Sequence, residues 1–123
     1  MLPPDFPTQL QPAFEKLLSQ GEARTVEELR MGIRVHLSRV AQAARGGSFD
    51  PRIAEGIGNG LLALLDLKLE EPKAGWVLAA ISYFVDSYDE EPDFESPDGF
   101  VDDAQVFNAV ARAVGKPNLE VKL

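Results

Sequence analysis

The chain has no cysteine, which removes disulfide staples, thiolate metal sites and cysteine nucleophiles together. Folding must rest on packing. Histidine is almost absent too. His36 is the only one; it falls mid-helix with no serine or acid at a telling spacing, and it reads as a packed or surface side chain, not a general base. No hydrolase triad can be assembled, and no residue set amounts to a recognisable catalytic site. Long hydrophobic runs are missing as well. The longest nearly apolar stretch, Ala74 to Val85, has 12 residues and includes Ser82, whereas a helix needs ~20 to cross a bilayer. No membrane span is expected. The opening MLPPDFPTQL lacks the basic stretch and apolar run of a secretory signal, so the expected location is cytoplasmic.

What is present suits one packed domain. A chain of 123 residues fits a single core, and its apolar share of 45% and charged share of 26% match ordinary globular composition. Residues 1–123 therefore read as a single helical domain, with an irregular N-terminal arm over 1–11, an acidic loop over 86–99 and a C-terminal tail over 116–123. The net charge of −8 is unevenly placed. Residues 1–61 hold seven bases and seven acids, and residues 62–123 hold five bases and thirteen acids, so the whole excess lies in the second half.

Hydrophobic periodicity predicts an all-α, compact bundle of about five helices. Pro3, Pro4, Pro7 and Pro12 postpone the first helix to about Pro12; Phe14, Leu17 and Leu18 form its apolar set and Gly21 stops it. The second helix opens with Thr25 and Glu28, spaced as a capping box in which each side chain satisfies the other's free amide. Val26, Leu29, Ile33, Leu37, Val40 and Ala44 give its apolar stripe up to Gly46–Gly47. Arg30, Arg34 and Arg45 lie beside that stripe and read as a solvated rim in preference to a binding patch. In the third helix Asp50 is the cap, Pro51 takes the first position, and Ile53, Ile57, Leu61 and Leu64 are buried. Gly56 and Gly60 are four apart on one face, which suggests a close helix crossing. The run Gly56-Ile57-Gly58-Asn59-Gly60 is no phosphate loop, because Leu61 replaces the third glycine and no strand precedes it. The fourth helix, after Pro72, is apolar nearly all round from Trp76 to Val85 and belongs at the bundle centre. The fifth starts near Phe100 or Val101, buries Val106, Phe107, Val110 and Val114, and ends at Gly115 before Pro117. Strand structure is limited at most to Leu119–Leu123.

Between the last two helices, Asp86 to Asp103 holds nine acids and no base. Pro92, Pro97 and Gly99 forbid continuous helix, while Tyr88, Phe94, Phe100 and Val101 are spaced as anchors, so the acidic loop is expected to be ordered. A phosphate backbone would be repelled by this face, which argues against direct nucleic-acid binding. The segment resembles the YkvA-like bacterial family, a domain of unknown function, over about residues 76–112. Tyr83 and Phe84 end an apolar helix; Asp89, Pro92, Asp93 and Phe94 match that family's Asp-x-x-Pro-Asp-aromatic turn; Gly99 precedes the pair Asp102 and Asp103. The family's serine-proline step is Asp86-Ser87 here, and Glu90, Glu91 and Glu95 stand at positions usually apolar in it. The resemblance implies no established activity.

Three readings of the acids remain open. Asp98 or Asp102 can cap the fifth helix while Asp89 and Asp93 close turns around Pro92. Glu90, Glu91, Glu95 and Asp98 can instead receive a basic protein partner, making the chain a non-enzymatic interaction module. Alternatively, Asp89, Asp93, Asp102 and Asp103 can converge on Mg²⁺ or Ca²⁺, giving a divalent-cation-binding domain or a metal-assisted hydrolase. An EF-hand is excluded, since with Asp93 first, Asp98 falls where glycine is required and Ala104 where the bidentate glutamate belongs.

Overall fold

The computed structural model describes residues 2–21, 23–46, 51–86 and 101–122. They form α1 (Gln11–Gln20), α2 (Val26–Gly46), α3 (Arg52–Leu65), α4 (Lys73–Asp86) and α5 (Val101–Ala113), with 3₁₀ turns at Thr8–Leu10 and Pro117–Leu119. The all-α bundle is as expected, and no strand occurs among the described residues. No helix among them is long and apolar enough to cross a membrane.

The bundle is organised around α4, which touches each of the other four helices. Its composition explains this position. A helix with apolar side chains on every side must find neighbours on every side, and Trp76, Val77, Ala80, Ile81, Phe84 and Val85 are all buried. Ser82 is buried with them, and the Arg24 guanidinium donates to its hydroxyl oxygen at 3.0 Å. That bond also ties the start of α2 to α4.

The helix ends follow their local chemistry. At α2, the Glu28 amide donates to the Thr25 hydroxyl and the Thr25 amide donates to the Glu28 carboxylate, both at 3.1 Å, so the reciprocal cap forms as its spacing predicts. Gly21, at φ 74°, closes α1. Past α5, Gly115 takes φ 84°, its amide reaches the Arg112 carbonyl at 3.1 Å, and the Lys116 amide reaches the Ala111 carbonyl at 2.8 Å. This pair of bonds is a Schellman closure, which the left-handed glycine makes accessible. Asp50 lies outside the described residues, and α3 begins at Arg52 behind Pro51.

Two expectations need correction. The buried face of α2 is turned from the predicted stripe: Leu29, Ile33 and Val40 are buried as expected, but Val26 is exposed and His36 takes a core position. Adding His36 at i+3 from Ile33 and dropping Val26 rotates the face toward α4. The second correction concerns the glycines of α3. Gly60 does mark a helix crossing, because a Cβ there would collide with the ring of Phe107 on α5. Gly56 faces Val121 of the C-terminal tail instead of a helix. The intervening Gly58 lies against Leu37 of α2, so three glycines on α3 admit three different neighbours. The sequence Gly56–Gly60 is helix interior, consistent with its rejection as a phosphate loop.

Both termini lie on the bundle. In the N-terminal arm Phe6 and Leu10 are buried, and the Phe6 ring lies 4.6 Å from that of Phe14. In the tail, the Asn108 side chain grips the backbone of Val121. Its amide donates to the Val121 carbonyl at 3.0 Å, and its oxygen accepts from the Val121 amide at 2.8 Å.

Candidate functional site

The acid-rich segment is rooted in two helices that pack on each other. It leaves the end of α4 at Asp86 and returns at Val101, the first residue of α5. Residues 87–100 lie outside the described residues. That range contains the expected partner contacts Glu90, Glu91, Glu95 and Asp98, the expected metal ligands Asp89 and Asp93, and the proposed anchors Tyr88, Phe94 and Phe100. Asp102 and Asp103 both lie in the first turn of α5, where negative charge interacts favourably with the helix dipole. They differ in surroundings: Asp102 is exposed, whereas Asp103 is only 4% exposed. Among the described residues, no group of three or more acids, histidines or cysteines is placed to hold a metal ion.

Beside the root of this segment, α2 and the end of α4 form an open groove of about 600 Å³. Val85 of α4 and Gly32 and His36 of α2 are among its lining residues. Met31 and Val35 also line it, and its charged lining runs from Arg24, Glu27 and Glu28 to Arg39. Gly32 lies close to Val85, for a Cβ there would reach ordinary contact with it at 3.6 Å. Met31, at 60% exposed, and Val35, at 42%, are unusual in this protein, where most large apolar side chains are buried.

His36 forms the inner boundary of the groove. Its ring stands edge-on to Phe84 of α4, with centroids 4.6 Å apart and planes at 88°. Burial lowers its pKa from 6.5 to about 4, and the positive charge of Arg39 acts in the same direction. At neutral pH the imidazole is therefore uncharged. This matches the expectation of a packed side chain, with its effect exerted on the α2–α4 contact.

Periodicity directed attention away from this groove. Met31 and Val35 are one helical turn apart on the polar side of α2, an i, i+4 apolar pair outside the core stripe. That spacing was the available signal. Comparison of the chain with models of known protein families, with curated proteins and with solved structures gives no match.

Proposed function

We propose that this chain is a non-enzymatic protein-interaction module that receives a basic protein partner on the acidic segment between α4 and α5, through Glu90, Glu91, Glu95 and Asp98. One observation carries the reading. Nine of the chain's twenty acids fall in the eighteen residues Asp86–Asp103, and both roots of that stretch belong to helices held in the core. Clustered like charge opposes folding through self-repulsion and favours a partner of opposite sign by raising the encounter rate and rejecting acidic competitors. The resemblance to YkvA-like proteins belongs to this proposal as a family expectation and adds no activity to it.

The test is affinity capture with identification of the bound proteins, comparing the parent chain with the triple variant E90Q/E91Q/E95Q. Basic proteins retained at low salt by the parent should be lost by the triple variant and by the parent at high salt. Its melting temperature should remain that of the parent. Unchanged capture by a folded triple variant removes the proposal.

A second reading rests on the start of α5, where exposed Asp102 adjoins buried Asp103. In this reading Asp89 and Asp93 join them as an oxygen-rich set suited to Mg²⁺ or Ca²⁺, in a cation-binding domain or a metal-assisted hydrolase. Calorimetric titration with Mg²⁺, Ca²⁺ and Mn²⁺ decides it. Binding heat with a rise in melting temperature favours the reading, and neither effect with any of the three ions eliminates it.

A further inference from the structure

The large apolar side chains exposed among the described residues are Val26, Met31 and Val35, all on α2. Two of them flank the groove, and the charges around them run in a definite order. Along one face of α2 stand Glu28, Met31, Val35 and Arg39, separated by steps of three, four and four, so they form a single row. From Glu28 to Arg39 the row is acidic, then apolar, then basic; Arg24, four residues before Glu28 and also lining the groove, is turned to the Ser82 hydroxyl. Gly32 keeps the middle low, over Val85.

We propose that this face binds a second copy of the same chain, with the two α2 helices antiparallel about a two-fold axis near residue 33. The charge order selects both the occupant and the orientation. Turning one helix end for end sets Met31 of one copy against Val35 of the other, and Glu28 against Arg39. Each pairing then occurs twice, as in an isologous dimer. A parallel pair would place Glu28 on Glu28 and Arg39 on Arg39, which like-charge repulsion opposes. The location also suits self-association. The chain carries −8 overall, but residues 1–61, which contain α2, hold seven bases and seven acids. The row itself thus belongs to a stretch of sequence with no net charge.

Sedimentation velocity over a concentration series tests the pairing with the full chain. The parent is expected to pass from monomer to dimer as concentration rises. Met31→Glu alters an exposed position and should leave the melting temperature unchanged while raising the dimer dissociation constant roughly tenfold or more. The charge pairing has its own test. R39E alone and E28R alone should each lose the dimer, and an equimolar mixture of the two should regain it, because each opposed pair then combines opposite signs. The E28R chain forfeits half of the α2 cap, so circular dichroism must show it folded at the working temperature. A parent that stays monomeric at every concentration overturns the proposal and leaves the groove to a different occupant. A dimer indifferent to Met31→Glu, or single variants that fail to recover on mixing, overturns it equally.

Discussion

Helices α2 and α4 solve opposite problems with adjacent stretches of structure. Helix α4 is apolar nearly all round and is enclosed by the four other helices; α2 is the longest helix, buries one face and leaves Met31 and Val35 on another. Where they meet, His36 and Phe84 stand edge to face. The difference teaches where change is tolerated. Substitutions in α4 are felt by every layer of the bundle, whereas Met31 and Val35 on the outward face of α2 can change at little cost to folding.

The sharpest way to break this comparison is to truncate one side chain in each helix. Phe84→Ala removes a ring that is 2% exposed and should lower stability by about 3–5 kcal/mol, seen as a large fall in the urea midpoint. Met31→Ala, at a position 60% exposed, should shift it by less than about 0.5 kcal/mol. Equal effects would mean that the outward face of α2 is part of the folding core.

The shared residue His36 gives the next largest effect, and it depends on pH. Its folded-state pKa of about 4 lies below the ordinary 6.5, so the unfolded chain takes up the proton first. The contribution of the neutral ring to stability is complete above about pH 6.5, declines between 6.5 and 4, and changes no further below that. At full extent this difference corresponds to roughly 3 kcal/mol. Chemical denaturation at a series of pH values should show this slope, and it should flatten in His36→Leu. A slope unchanged in that variant would assign the pH sensitivity to other groups.

Gly60→Ala tests the packing that lets α3 approach α5. An alanine gains helix propensity, about 1 kcal/mol in an exposed helix, but its methyl would occupy the position of the Phe107 ring. Phe107 is 1% exposed, so the ring cannot swing into solvent. A net loss of about 1–3 kcal/mol is expected, together with recovery in the double variant G60A/F107L. A stabilised single variant would show that propensity outweighs the crossing.

These contrasts show which parts of the fold were legible from the residues. The ends of α2 and α5 were, because Thr25 with Glu28 and Gly115 before Pro117 act through bonds within a few residues of themselves. The central place of α4 was legible as well, since a helix with no polar face has only one kind of environment available. The rotation of α2 was not. Whether Val26 or His36 faces inward depends on the direction from which α4 approaches, and both fit a helical stripe. The tail's attachment was equally hidden, for Asn108 gripping the Val121 backbone joins residues from different elements by a side chain with no periodic signature. At the candidate site, the charge of the acidic segment was readable from composition. The groove was not, because it arises only when Val85 of α4 is set beside Gly32 of α2.

Smaller effects belong to α2's surface chemistry. Thr25→Ala removes the hydroxyl that accepts from the Glu28 amide and should cost about 1 kcal/mol, measured by thermal denaturation; no loss would mean that the cap is replaced by solvent at no cost.

The least costly change should be at the rim joining α2 to the end of α3. Arg30 donates to the Asp66 carboxylate at 3.0 Å and also lies 3.7 Å from Glu27. Geometry alone would rank this contact with the buried ones, but exposure decides otherwise. The Asp66 side chain is 66% exposed and that of Arg30 21%, so water and salt screen the pair while two flexible side chains are held in place. A double-mutant cycle with R30A and D66A should give a coupling of roughly 0.2–1 kcal/mol that shrinks as ionic strength rises. A coupling well above that range and insensitive to salt would make the α2 rim as structural as α4, and would end the distinction between a core helix and a helix with an open face.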